Sequence, residues 1–370
     1  MKRLFDGMPA DAEAEERAWA VVREAYERRE PARRWRSPVR PALVLAAVAA
    51  AAVSAALSPP GRAVVNAVRR SIGIEGAQPA LFRLPAPGRL LVSGEGGTWV
   101  VAADGSTRRL GAFAQASWSP HALYVVASSR NELAAVEPAT GQVHWQLARR
   151  AIRFPRWGGT RTDTRIAYLT TSRLHVVAGD GTRDVDAEGL PAAARVAPVW
   201  QPATGDRHVL AYVDTRGRVT VLDPDLGNVR WVSAGYDGAR ALAWSPDGGT
   251  LALAARTKVV LFSAATGRAR TVRVEGVRQL AFAPDGRLAL VRGNGVLVLD
   301  GARVRTLFVA PSRLAGVAWS PDGRWLLSSL PAADQWVFVQ TRGTRRVLAV
   351  SHIRRQFGGE PALDGWAPSA

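Results

Sequence analysis

Ala243-Trp244-Ser245-Pro246-Asp247-Gly248, Ala281-Phe282-Ala283-Pro284-Asp285-Gly286 and Ala318-Trp319-Ser320-Pro321-Asp322-Gly323 are three near copies of one hexapeptide. In each, a short apolar run ends on an aromatic residue and Pro-Asp-Gly follows. Proline has no N–H to give a ladder, and glycine takes up the positive φ of a tight turn, so each copy reads as a strand running into a turn. Weaker copies are Ser117-Trp118-Ser119-Pro120, Pro155-Arg156-Trp157-Gly158-Gly159, Val199-Trp200-Gln201-Pro202 and Leu84-Pro85-Ala86-Pro87-Gly88. The aromatic or equivalent positions, 84, 118, 157, 200, 244, 282 and 319, are separated by 34, 39, 43, 44, 38 and 37 residues. Such a period marks one supersecondary unit used again and again.

The unit around Phe282 shows its content. Residues 279–282 form a short strand, Pro284-Asp285-Gly286 turns it, residues 287–291 return and Gly293-Asn294-Gly295 turns again. Residues 296–299 make a third strand, Asp300-Gly301 a hairpin turn of the I′ class, and residues 303–308 an outer strand. Asp104-Gly105 and Asp180-Gly181 repeat that hairpin. Four strands cannot bury both faces alone, so units must stack around an axis. The expected fold is all-β: a β-propeller of about seven four-stranded blades over residues 79–358, with a C-terminal tail at 359–370. Six blades, with an N-terminal strand completing the last, is the rival. The ring is expected to close where strands from the two ends of the repeat region meet. Residues 90–92 and 98–102 belong to the first unit, and 335–339 and 346–350 are outer strands of the last.

A strand ending Trp-Ser-Pro-Asp-Gly resembles the repeat of TolB-type, WD-like β-propellers. The resemblance spans roughly residues 80 to 350 and implies the same fold. The Trp-Asp dipeptide and leading Gly-His of WD repeats are missing, so that family's internal polar network is not carried over. A second stretch, Ala135-Val136-Glu137-Pro138-Ala139-Thr140-Gly141-Gln142-Val143-His144-Trp145, is similar to the tryptophan-docking motif of quinoprotein-type propellers; residues 221–231 match it less fully. In that family the tryptophan packs between neighbouring blades. With only two such units, quinone-cofactor chemistry is not implied.

Residues 41–58 form an uncharged, Ala-rich apolar run. As a helix it reaches about 27 Å, near the thickness of a hydrocarbon core. Arg33, Arg34, Arg36 and Arg40 precede it, and Pro59, Pro60 and Gly61 stop it. The expectation is an uncleaved signal-anchor with residues 1–40 in the cytoplasm, a linker at 59–78, and the propeller outside the cell membrane. Within the tail, residues 11–30 read as a helix, acidic at its start and basic at its end. Trp19, Val22 and Tyr26 fall on one stripe that suits a membrane surface or a cytoplasmic partner.

Composition excludes disorder: 47% of residues are hydrophobic and 22% charged, enough for a large core. The net charge is +18, yet only Lys2 and Lys258 are lysines. That points to an arginine bias spread over the surface, and no nucleic-acid partner is expected. Cys is absent, so neither disulfides nor thiolate metal sites arise. His121, His144, His175, His208 and His352 are scattered without metal-ligand spacing. Asp180, Asp184 and Asp186 lack the pattern of a calcium loop and read as turn chemistry. No nucleophile elbow, phosphate loop or dinucleotide fingerprint occurs. The reading is therefore no enzyme, no cofactor and no metal.

One pattern points to a ligand. Arg153, Arg240 and Arg278 each stand four residues before a strand aromatic, and Arg195 and Arg313 stand five and six before theirs. At the mouth of a central channel they would make a basic funnel for carboxylates or phosphates, unless acids such as Asp237 or Glu275 neutralise them. The functional expectation is an anchored extracytoplasmic binding or scaffold module for an anionic ligand, an envelope component or a protein partner. The alternative is a transmembrane signalling regulator whose propeller senses and whose cytoplasmic helix holds a partner. Its layout resembles that of membrane-bound anti-sigma factors, although residues 1–40 lack the His and Cys of the zinc-binding kind.

Overall fold

Each quoted hexapeptide ends the innermost strand of an antiparallel sheet, and seven such sheets ring one axis. The computed structural model describes residues 74–78 and 83–369, except 161, 172, 193–194, 203–206 and 345. Residues 1–40, with Trp19, Val22 and Tyr26, and the apolar run 41–58 lie outside the described residues. Among the described residues no helix is long and apolar enough to cross a membrane.

Blade 2 runs outward through Gln115–Trp118, Val125–Ser128, Glu132–Val136 and Val143–Ala148. Blade 3 has Arg153–Gly159, Thr164–Leu169, Arg173–Ala178 and Val185–Pro191. Blade 4 has Val199–Trp200, Leu210–Val213, Arg218–Asp223 and Asn228–Gly235. Blade 5 has Ala241–Trp244, Thr250–Ala254, Val259–Ser263 and Ala269–Val272. Blade 6 has Val277–Phe282, Leu288–Arg292, Gly295–Asp300 and Arg303–Val309, within a residue or two of the sequence reading. Blade 7 has Ala315–Trp319, Trp325–Leu330, Gln335–Gln340 and Val347–Ser351.

Blade 1 is built from both ends. Arg89–Gly94, Gly97–Val101 and Thr107–Gly111 supply its outer three strands, and Ala362–Ala367 pairs antiparallel with Arg89–Gly94 as the innermost. Strands from the two ends thus meet as expected, but two readings are corrected. Leu84 does not end the inner strand of this blade: residues 85–88 bend directly into Arg89–Gly94, whose inner neighbour is Ala362–Ala367. Residues 359–370 are not a tail, because Ala362–Ala367 closes the ring after a short helix, Ile353–Phe357. Ile74–Gln78, inside the span read as a linker, adds as a fifth, parallel strand beside Val347–Ser351.

Seven apolar clusters hold the ring, one at each contact between neighbouring blades. Between blades 6 and 7, for instance, Val291, Val296 and Val298 meet Leu326, Val337 and Val339. Middle strands are covered on both faces, which is why all of Trp325–Leu330 is buried and its sequence does not alternate. The outer strand Val143–Ala148 has one face in solvent and alternates between half-buried and exposed.

Tryptophans tie the blades together. Trp200 Nε1 donates to Arg156 O at 2.8 Å, Trp244 Nε1 to Val199 O at 3.2 Å and Trp319 Nε1 to Ala281 O at 3.0 Å. On the outer strands, Trp145 Nε1 donates to Gly179 O at 3.0 Å and Trp231 Nε1 to Ala264 O at 2.9 Å, each in the next blade. These are the two docking-motif tryptophans, and both pack between blades. Gly181 and Gly267 make room for the two rings, since a Cβ there would come within 2.7 and 2.9 Å of them.

The turns have local causes. In blade 5, Asp247 Oδ1 accepts from Ser245 Oγ at 2.5 Å and from Gly249 N at 3.0 Å, while Ser245 Oγ accepts from Thr250 N. Ser320 and Asp322 repeat this in blade 7. The Asp-Gly hairpins differ from the I′ expectation: positive φ falls on Gly105, Gly181 and Gly301 and not on the preceding aspartates. Asp104 and Asp180 instead accept bonds from the main chain and hydroxyls of Ser106 and Thr182.

Candidate functional site

In a four-stranded meander, the loop leading into the inner strand lies at the same end as the loop between the second and third strands. At that end, blades 5, 6 and 7 enclose a depression of about 790 Å³. Arg240 stands just before Ala241–Trp244, Arg278 within Val277–Phe282 and Arg313 just before Ala315–Trp319, and all three line it. Arg256, from the second-to-third loop of blade 5, is a fourth guanidinium on its wall.

The loops carrying these side chains are pinned. Arg240 N donates to Ala254 O at 2.9 Å, Gly276 N to Arg256 O at 3.1 Å and Leu314 N to Gly293 O at 3.0 Å. Asp237 pairs with Arg256 Nε at 3.1 Å and so does not neutralise Arg240. Glu275 is the carboxylate that lines the depression. Among the described residues no carboxylate comes within ion-pair distance of Arg240, Arg278 or Arg313. All three are exposed, free to offer planar, permanently charged donors.

The remaining two members of the expected funnel stand elsewhere on the same end. Arg153 begins the inner strand of blade 3, and Arg195 lies in the loop leading to blade 4. Both are exposed, and neither lines the depression. Arg256 was missed because the sequence pattern counted back from strand aromatics and so passed over the loop inside each blade. Its signal is the Arg256-Thr257 pair between two apolar strands.

The innermost strands carry a second group of ionisable residues. Arg156, on the inner strand of blade 3, and Asp364, on that of blade 1, are close enough for their opposite charges to act on each other, although their blades are not neighbours. Burial pushes the Asp364 carboxyl up to about 7, against the opposing pull of Ser93 and Arg156. Burial likewise lowers Arg156 from the ordinary guanidinium value. Side chains of blade 2 cap the open edge of blade 3's inner strand: Phe154 N donates to Gln115 Oε1 at 2.5 Å and Trp157 N to Ser117 Oγ at 3.3 Å.

At the opposite end, His208 is buried where blades 3 and 4 meet. Its Nδ1 lies 2.5 Å from Asp225 Oδ2, and its Nε2 lies 3.0 Å from Asp163 O. Arg165 joins both aspartates. Asp184, from the acidic trio, accepts from Tyr168 OH at 3.0 Å and pairs with Arg149. Every one of these groups is consumed by a protein partner.

A family model described as WD domain, G-beta repeat matches residues 301–339, from the last turn of blade 6 through the third strand of blade 7. No curated protein matches the chain in sequence. Among solved structures, a chain of a mitotic checkpoint complex is similar at 17% identity and TM-score 0.58, over 73% of this chain and 90% of that one. The Cps50 (Swd1) β-propeller domain of Myceliophteria thermophila is similar at 12% identity and TM-score 0.53, over 67% of this chain and 92% of its own. At these identities the likeness is one of fold.

Proposed function

We propose that this protein is a membrane-anchored binding module whose propeller takes an anionic group in the depression formed by Arg240, Arg278 and Arg313. The observation that carries the reading is the convergence of three guanidiniums without acid partners on one depression of pinned loops. Like charges held together repel, and an anionic ligand relieves that repulsion. Arginine forks suit carboxylates and phosphates because they offer paired, planar donors. A β-propeller commonly serves as a binding or scaffold module, which agrees with this use. The charge-free run 41–58 behind four arginines supports an anchor with the propeller outside and residues 1–40 in the cytoplasm. An envelope component bearing carboxylate or phosphate groups is then the natural ligand class.

Titrating the full chain with inorganic polyphosphate and with poly-glutamate tests the depression. Saturable binding that weakens with salt is expected, because exposed charges are screened over about 8 Å at physiological ionic strength. Binding that is indifferent to Arg240→Ala together with Arg278→Ala would overturn it. A reporter active only in the cytoplasm, fused after Ala370, should stay dark; a bright one reverses the orientation.

A further inference from the structure

The three Pro-Asp-Gly turns of blades 5, 6 and 7 occupy equivalent places, and two of them are used in the same way. Each offers its glycine carbonyl to a side chain of the preceding blade. Gly248 O accepts from Gln201 Nε2 of blade 4 at 2.6 Å. Gly323 O accepts from Arg287 Nη2 of blade 6 at 2.7 Å. Arg287 is buried with its guanidinium carbon 4.9 Å from the centre of the Trp319 ring, and its Nε lies 3.0 Å from the Asp285 carboxylate. The guanidinium thus has an aromatic face beneath it, a carboxylate behind it and a main-chain carbonyl ahead.

One blade earlier the same three elements are present and the arginine is not. Phe282 corresponds to Trp319, Asp247 to Asp285 and the Gly286 carbonyl to that of Gly323. The position of Arg287 is held by Gly249. Among the described residues no side chain donates to Gly286 O. The space is a groove of about 1040 Å³ between blades 5 and 6, lined by Asp247, Gly249, Phe282 and Gly286. It has not been closed by collapse: a Cβ on Gly249 would meet nothing nearer than the Asp247 carboxylate at 3.4 Å, and one on Gly286 nothing within 4 Å. Both bonds that fix Asp247 use Oδ1, so Oδ2 remains for an incoming donor.

We propose that this groove binds an arginine side chain of a partner polypeptide, in the place that Arg287 fills from within the chain one blade later. The planar guanidinium stacks on Phe282, pairs with Asp247 and donates to Gly286 O; a lysine ammonium matches the charge but not the plane. Arg268 and Arg270 stand on the groove's outer wall and favour a partner arginine with an acidic residue beside it. The groove lies at the end of the strands opposite the basic depression and takes a ligand of opposite charge, so neither reading depends on the other.

The test is calorimetric titration of the full chain with acetylated, amidated Glu-Arg-Gly, using Glu-Lys-Gly as control. Binding of the arginine peptide at least about tenfold tighter than the lysine peptide is expected. Gly249→Arg should fill the groove from within, abolish binding and raise Tm. Asp247→Asn should weaken binding without unfolding the chain, and it serves alone if Gly249→Arg does not fold. Arg240→Ala with Arg278→Ala should leave binding unchanged. Equal affinity for both peptides, no saturable binding, or undiminished binding to Asp247→Asn overturns the proposal.

Discussion

The indole Nε1 of Trp319 donates from the ring edge to the carbonyl of Ala281 at 3.0 Å, while a face of the same ring carries the guanidinium of Arg287. One side chain therefore fastens blade 7 to blade 6 through the main chain of an inner strand and through a buried cation. Trp200 and Trp244 make the equivalent bond at earlier contacts, and Phe282 fills the position without an N–H to give.

Trp319→Phe keeps an aromatic ring and removes the bond. Stability should fall by about 1 kcal/mol, lowering Tm by roughly 2 °C. Trp319→Ala should cost about 3–5 kcal/mol, because Arg287 and the apolar cluster lose their neighbour together. Thermal and urea unfolding of the two variants, followed by circular dichroism, measures both. An unchanged Tm in Trp319→Phe would mean that the bond is silent.

Reversing one charge in the depression should matter more than deleting it. Arg278→Glu is expected to reduce polyphosphate binding by at least about tenfold at low salt, with a smaller loss at high salt. Arg153→Glu, outside the depression, should change binding little. Affinities of both variants across a salt series decide it, and equal effects would make the whole basic end the binding surface.

Asp364 makes stability depend on pH in the direction opposite to the paired carboxylates. Its folded-state value of about 7 lies above the ordinary 3.8, so between those values the folded chain keeps a proton that the unfolded chain has lost. Stability from this group is full below the lower value and is lost as pH rises toward the upper. Asp364→Asn should match the wild type near the lower value and exceed it in Tm above the upper. A variant less stable at alkaline pH would mean that the carboxylate is ionised against Arg156.

Ring closure rests on Ala362–Ala367. A stop codon after Gly359 removes that strand, leaves Arg89–Gly94 with an open edge and withdraws Trp366 from the cluster shared by blades 7 and 1. The truncated protein should lose cooperative unfolding and form oligomers through the free edge, as size-exclusion chromatography would show. A monomer with unchanged Tm would make the seventh contact dispensable.

Much of this architecture is legible in the residues because each turn is caused locally. Pro246, Asp247 and Ser245 make the turn wherever the chain places them, so the hexapeptide announces both strand end and period. Ala362–Ala367 carries only part of that sign: Trp366-Ala367-Pro368 keeps the aromatic and the proline but not Asp-Gly, Asp364 and Gly365 interrupt its apolar run, and its pairing is set by Arg89–Gly94, far away in the chain. Ile74–Gln78 is silent, since it joins through main-chain bonds in parallel and needs no alternation. The arginines of the depression could be picked out singly, but which of them share a wall depends on the loops between blades. The groove at Gly249 is invisible in sequence because its meaning lies in a side chain that is not there. It emerges only beside Arg287, one repeat later.

Among the strands of the ring, the innermost strand of blade 1 is also the last to be synthesised. Blades 2 to 7 can form in order as the chain emerges, but blade 1 must wait with three strands until residues 362–367 arrive. Throughout that interval the apolar faces of the first and last blades are open to solvent and to other nascent chains. Joining the two ends thus acts as a timing device: it sets the moment at which the molecule passes from sticky intermediate to closed ring.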